Sequence, residues 1–279
     1  MGSTRHDLLA FLEEDAPRGD ITSEALVKGI RAVATIRTRD QGVVAGLEEA
    51  RELFSSQGLE VRMLCCDGQQ VGSGTTLLEV AGPAEAILRT ERTALNLIGR
   101  MSGIASATQS LVNRVASINP RCRVAATRKT APGLRHFDKK AVLLGGGDPH
   151  RGTLSDMILI KDNHLALVPL PEAISRARRD SLSRRVEVEV NSPELALQAA
   201  RCGADVIMLD NMTPASIRDT IRQLEHAGLR DGLTIEVSGK ITEDSIAQYA
   251  IPGVDMISIG ALTHSVKNFD VTLDIAPQD

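Results

Sequence analysis

Arg128 and Lys129 come directly after the apolar run Val124-Ala-Ala, His150 and Arg151 come soon after Ala141-Val-Leu-Leu, and Lys161 closes Met157-Ile-Leu-Ile. Three cationic groups therefore each follow a short apolar run. From Arg128 to Lys161 the chain has seven Lys or Arg against three Asp, although the formal net charge of the whole chain is −4. A guanidinium offers carboxylates and phosphates a planar two-point fork, so the cluster fits a small polyanion. Two later runs end in acids: Glu189 in Val186-Glu-Val-Glu-Val, and Asp210 after Val206-Ile-Met-Leu. A carboxylate pair beside an anion pocket is a common way to hold Mg²⁺ with its waters retained; the alternative is that these acids neutralise the cations opposite. The last two runs are followed by Ser238-Gly239 and Gly260-Ala261, where small residues leave backbone N–H groups open to a phosphate. His150 and His164 are candidates for proton transfer or hydrogen bonding.

The elements that would position these residues repeat one unit, an apolar run followed by a polar corner and a helical segment. Seven such runs begin at Val124, Ala141, Met157, Val186, Val206, Leu233 and Met256. Ser192-Pro193 and Thr213-Pro214 each place a capping hydroxyl before a proline at the first helical position. Parallel strands joined by helices bury both faces, and residues at the carboxyl ends of barrel strands form the active site. The first 110 or so residues differ: Ala32–Arg39, Gly42–Gly46 and the segment around Asp67-Gly68 read as short antiparallel strands. A Pro-free helical stretch follows, from Ala84 to about Ala116. Gly99 and Gly103 lie one turn apart on it, which would admit another helix closely, either in the chain's own core or at a subunit interface. Arg135, Lys139 and Lys140 fall at helical spacing and read mainly as a solvated face. The expected fold class is α/β: an N-terminal α+β sandwich-like domain with an interface helix over residues 1–112, then a seven-stranded, TIM-like α/β barrel over 113–279. The C-terminal tail is free to return to the first domain.

Composition excludes several functions. Aromatic residues make up 2% of the chain, with no Trp and one Tyr, too few for a reader of stacked bases. The negative net charge disfavours a polyanion-binding surface. No stretch approaches the roughly 20 apolar residues that cross a bilayer, and the first residues lack a signal-peptide pattern, so a cytoplasmic protein is expected. Cys65, Cys66, Cys122 and Cys202 have neither zinc-site nor disulfide-framework spacing. No phosphate-binding P-loop, dinucleotide fingerprint, G-x-S-x-G elbow or H-E-x-x-H occurs.

In order, the chain contains Thr127-Arg-Lys-Thr-x-Pro-Gly-Leu-Arg, Gly145-Gly-Gly-x-x-His-Arg, Leu159-Ile-Lys-Asp-Asn-His, Glu187-Val-Glu-Val, Met208-Leu-Asp-Asn, Val237-Ser-Gly and Gly260-Ala-Leu-Thr-His-Ser. With Gly19-Asp-Ile-Thr-Ser, Glu91-Arg-Thr-Ala-Leu-Asn and Ser102-Gly-Ile-Ala, it resembles the quinolinate phosphoribosyltransferase family over nearly its whole length. The resemblance implies a Mg²⁺-dependent pentosyltransferase of NAD biosynthesis. Such an enzyme converts quinolinate and phosphoribosyl pyrophosphate to nicotinate mononucleotide, pyrophosphate and CO₂. It also implies a homodimer or larger assembly. By motif position, Arg128, His150, Arg151 and Lys161 match the quinolinate-binding set, with Arg92 entering from a partner subunit. Lys129, Glu189 and Asp210 match the ligands of phosphoribosyl pyrophosphate and its Mg²⁺. Lys129, Lys161, Glu189 and Asp210 together form the implied catalytic set, and Ser238, Gly239, Gly260 and Ala261 the phosphate cradle. Two positions depart from the family pattern: Pro149, where Asn is common, and Lys240, where a second Gly is common.

Three other readings compete. A related phosphoribosyltransferase found with molybdate-transport genes shares the Gly-Gly-Gly-x-Pro-His-Arg stretch but usually lacks Lys-Asp-Asn-His and Leu-Asp-Asn. An aldolase-type barrel would use Lys161 to form a Schiff base. A biotinyl- or lipoyl-like carrier would need a lysine in the Gly68-Gln69-Gln70 turn, where none occurs.

Overall fold

The computed structural model describes residues 2–180 and 183–278. Met1 and Asp279, the outer limits of the two expected domains, lie outside the described residues. The chain begins with α1 (Gly2–Asp15), α2 (Ile21–Leu26), β1 (Arg31–Thr38), β2 (Gly42–Val43), α3 (Leu47–Ser56), β3 (Glu60–Met63), β4 (Gln70–Val71), β5 (Thr76–Pro83) and α4 (Ala84–Ala116). It continues through β6 (Arg123–Ala125), α5 (Arg135–Leu144), β7 (Ile158–Ile160), α6 (Asp162–Leu165), α7 (Leu170–Asp180), β8 (Val186–Val190) and α8 (Pro193–Arg201). The last elements are β9 (Val206–Asp210), α9 (Pro214–His226), β10 (Thr234–Ser238), α10 (Ile246–Tyr249), β11 (Met256–Ser258), α11 (Ala261–His264) and β12 (Val271–Pro277). None of the described helices is long and apolar enough to cross a membrane.

Two compact units form, each discontinuous in sequence: Met1–Gln109 with Ala131–Gly146 and Ser265–Asp279, and Ser110–Thr130 with Gly147–His264. The first holds a four-stranded antiparallel sheet in the order β12-β1-β5-β3. On β1 the buried residues Ala32, Ala34, Ile36 and Thr38 alternate with more exposed ones, the period-two signature of a sheet with one face covered. Close approach at Gly99 and Gly103 is made by the extended segment Lys267–Phe269 of the same unit rather than by a second helix. The Phe269 N–H donates to the Gly99 carbonyl at 2.9 Å, and a methyl group on Gly103 would lie 2.1 Å from the Lys267 carbonyl oxygen. A backbone cannot yield as a flexible side chain does, so Gly103→Ala is expected to lower stability by about 1–3 kcal/mol, measurable as a lower urea midpoint at unchanged m-value.

Lys140 is not on a solvated face. Its Nζ lies 2.7 Å from Glu48, 2.8 Å from Glu49 and 3.2 Å from Asp67, all in the first unit. These acids hold it protonated, raising its pKa against the opposing effect of its own burial. Lys139 is buried as well.

The second unit is a six-stranded parallel sheet in the order β6-β11-β10-β9-β8-β7. Consecutive strands are neighbours from β7 to β11, and the first strand pairs with the last, which is barrel-like connectivity. Ser192 and Thr213 cap α8 and α9 as expected, accepting from Leu195 N–H and Ser216 N–H. One of the seven expected strands is not a strand. Ala141-Val-Leu-Leu forms the last turns of α5, where Phe137, Asp138, Ala141 and Val142 are buried at the i, i+4 spacing of a helix face. Its four contiguous apolar residues imitate a buried strand because a run that short carries no readable period.

Candidate active site

Alternate residues of four neighbouring parallel strands face one cavity of about 700 Å³. Glu189 of β8, Met208 and Asp210 of β9, Glu236 and Ser238 of β10, and Ser258 of β11 line it, spaced by two as the pleat dictates. Segments leaving the strand ends add Thr127, Arg128, Lys129, Lys161, Asn211, Gly239, Lys240, Gly260, Ala261 and His264. His150 and Arg151 arrive from the loop after α5, which is fastened at Asp148. The Asp148 N–H donates to Val124 O at 2.7 Å, and its carbonyl accepts from Ala126 N–H at 2.9 Å, beside β6.

All the residues singled out around the strand ends, namely Arg128, Lys129, His150, Arg151, Lys161, Glu189, Asp210, Ser238, Gly239, Gly260 and Ala261, line this one cavity. Arg92 does not; it is an exposed residue of α4 in the first unit. His164 is also off the cavity, and its Nδ1 accepts the Lys161 N–H at 2.9 Å, capping α6. A second cavity, about 480 Å³, lies in the first unit and is lined by residues such as Phe11, Glu14 and Arg100; it has no comparable set of cations.

The charges are unevenly satisfied. Lys161 donates to Glu189, so its Nζ is engaged in an ion pair across neighbouring strand ends. Asp210 accepts from the Asn211 side-chain amide and forms no ion pair among the described residues. Arg128 Nε is buried and has no hydrogen-bond partner among the described residues. Arg151 is held below the usual guanidinium value, first by burial and then by the charge of Arg128. Two guanidinium groups close enough to repel, one with an orphaned donor, make a site that is incomplete without an anion.

Backbone strain is concentrated here. His150 (φ +53°), Asn211 (φ +53°) and Lys240 (φ +47°) are the only described non-glycine residues with left-handed backbone, and all three line the cavity. Such conformations cost about 1–3 kcal/mol each and gather at functional sites. Lys240 adopts at that cost the conformation a glycine would take freely. Gly239 has no substitute: at φ +106° a methyl group there would meet Asn211 Oδ1 at 2.4 Å.

Beneath the cations lie three residues that sequence reading did not single out. Glu236 Oε2 is 3.0 Å from His150 Nε2, and its other oxygen accepts from Ser258 Oγ. Glu187 is fully buried, 3.7 Å from His150 Nε2, with neither carboxylate oxygen hydrogen-bonded among the described residues. Burial, followed by the charge of Glu236, pushes its carboxyl up to about 8. A charged residue in mid-strand was the available signal. Glu187 shares a face with Glu189, and Glu236 shares one with Ser238.

Comparison with known proteins agrees with this geometry. The family model "Quinolinate phosphoribosyl transferase, C-terminal domain" matches residues 104–274, and the corresponding N-terminal domain matches residues 20–102. A protein of Methanothermobacter thermautotrophicus named probable nicotinate-nucleotide pyrophosphorylase [carboxylating] is 47% identical over 268 residues, covering 95% of this chain and 96% of its own. The human nicotinate-nucleotide pyrophosphorylase [carboxylating] is 35% identical over 269 residues, with 95% and 89% covered. The solved structure of NadC from Streptococcus pyogenes superposes with a TM-score of 0.90 at 36% identity, covering 98% of this chain and 97% of that one. With both family models matched in order along nearly all its length, and with the cavity those motifs share, this chain belongs to the quinolinate phosphoribosyltransferase family.

Proposed function

We propose that this chain transfers the phosphoribosyl group of phosphoribosyl pyrophosphate to the ring nitrogen of quinolinate and releases pyrophosphate and CO₂, leaving nicotinate mononucleotide. The observation that carries the reading is the orphaned Arg128 Nε beside Arg151. A pyridine dicarboxylate supplies two carboxylates to two guanidinium groups and needs no aromatic partner in a chain so poor in rings.

Arg128, Arg151 and Lys161 bind and orient the dicarboxylate. His150 lies against them and holds Arg151. Lys129 and the backbone at Ser238, Gly239, Gly260 and Ala261 take the phosphates. Glu189 and Asp210 fit Mg²⁺: they are hard oxygen donors from adjacent strands, and Asp210 lacks an ion-pair partner among the described residues. When bound, the ion supplies positive charge for the departing pyrophosphate. The same carboxylates face the positive charge that develops on the ribose carbon as pyrophosphate leaves. The quinolinate nitrogen donates its lone pair to that carbon. The resulting pyridinium accepts the electron pair of the bond to the adjacent carboxylate, CO₂ departs, and a proton replaces it on the ring.

The six strands are read as the wall of a barrel, with Asp148 standing where a seventh strand would pair with β6. Arg92, exposed on α4, serves the cavity of a second copy in a homodimer. Incubation of the purified protein with quinolinate, phosphoribosyl pyrophosphate and Mg²⁺ should yield equal amounts of CO₂ and nicotinate mononucleotide, and removal of the ion by a chelator should stop it. Turnover of nicotinate but not of quinolinate would refute the reading.

A further inference from the structure

Both ring nitrogens of His150 are engaged within the protein, and the partners fix where its proton sits. Nδ1 accepts the backbone N–H of Arg151 at 2.8 Å, so it carries no hydrogen. The proton is therefore on Nε2, which donates to Glu236 Oε2 at 3.0 Å. Glu236 is 1% exposed, and its second oxygen is taken by Ser258 Oγ. His150 is also held at φ +53°, with its own N–H bonded to Asp148 Oδ1 at 2.7 Å. A line of hydrogen bonds thus runs from Ser258 on β11 through Glu236 on β10 and the imidazole to the backbone of Arg151.

His150, Glu187 and Glu236 could together look like a cation site, since one ligand atom from each lies within 4.8 Å of the others. The tautomer argues against it. A metal on Nε2 would move the imidazole proton to Nδ1, where it would face the Arg151 N–H at 2.8 Å, donor against donor.

We propose that Glu236 is a positioning residue for the dicarboxylate substrate: it locks His150 as the neutral Nε2–H tautomer, and His150 in turn fixes the Arg151 backbone and the direction of its guanidinium. This rests on the reading of Arg151 as a carboxylate-binding group. The consequence is selective. Loosening Arg151 weakens the binding of quinolinate and leaves the phosphates of the other substrate untouched. A guanidinium fork gives up affinity quickly when its orientation drifts, because two-point geometry is lost before charge is.

The test combines a spectroscopic reading with kinetics on the whole protein. Long-range ¹⁵N–¹H spectra of the six histidines, with His150 assigned by its loss in His150→Gln, should show an unprotonated Nδ1 and a protonated Nε2 at neutral pH. Glu236→Leu should abolish that pattern and raise the quinolinate KM about tenfold, with the KM for phosphoribosyl pyrophosphate within about twofold. Glu236→Gln should preserve the pattern, because its amide oxygen can accept from Nε2 while its NH₂ faces Ser258; it also serves if Glu236→Leu does not fold. An Nδ1–H or doubly protonated His150 in the unmodified protein or in Glu236→Gln overturns the proposal, as does an equal rise of both KM values in Glu236→Leu. The tautomer is read without substrate, so a failure of the functional reading, seen as no turnover of quinolinate, is distinguishable from a failure of this one.

Discussion

Arg128→Ala should raise the quinolinate KM about 100-fold while the KM for phosphoribosyl pyrophosphate stays within about threefold, as steady-state kinetics with each substrate varied in turn would reveal. The size follows from what is lost. A hydrogen bond to a charged partner is worth about 1.5–3 kcal/mol, and a guanidinium fork makes two of them to one carboxylate. A smaller effect offsets this: with Arg128 gone, Arg151 no longer has a like charge beside it, so the empty site relaxes. The net loss is about 2.7 kcal/mol, or two orders of magnitude. Arg128→Lys keeps the charge and loses the fork, so it should fall between, at about tenfold. Equal losses for both substrates would mean that Arg128 serves the phosphates instead.

The second large effect is on stability. Arg100 grips Asp138 with Nε at 2.8 Å and Nη2 at 2.9 Å, and the Asp138 carboxylate is fully buried. Arg100→Leu would leave that carboxylate in the core of the first unit without its cation, which costs about 3–5 kcal/mol. In calorimetry the melting temperature should drop by about 10 °C. The double replacement Arg100→Leu with Asp138→Leu should recover most of the loss, because removing a buried pair together leaves no stranded charge. If the double variant is as unstable as the single one, the interaction is not the source.

The strand ends were legible in the sequence because parallel strands with both faces covered read as apolar runs, and whatever chemistry they carry must appear where a run stops. That logic located Lys161, Asp210, Ser238 and Gly260 from position alone. It failed at Ala141–Leu144, where a helix end presents the same four apolar residues as a strand. The error did not displace His150 and Arg151 from the cavity, because the loop that carries them is tied at Asp148 to β6, which no local pattern announces. Glu187 and Glu236 escaped notice for the opposite reason: they sit inside their runs, where an acid contradicts the expectation of an apolar interior. Lys140 was misjudged because its partners Glu48, Glu49 and Asp67 lie far away in sequence. Helical spacing shows which residues share a face, but not what that face meets.

The first unit's sheet has β12 as its outer strand, paired with β1 from Ala32–Pro277 to Thr38–Val271. Seen from the ribosome, the segment translated early waits for one that emerges only after the second unit. Until β12 arrives, β1 is an unpaired edge next to β5, with a row of free N–H and C=O groups able to recruit another nascent chain. The intervening unit makes its strand pairs between sequence neighbours from β7 to β11 and closes first with last from within itself. It can therefore mature while the earlier part of the polypeptide is still unfinished. The first unit therefore completes its sheet only after the second unit has been translated.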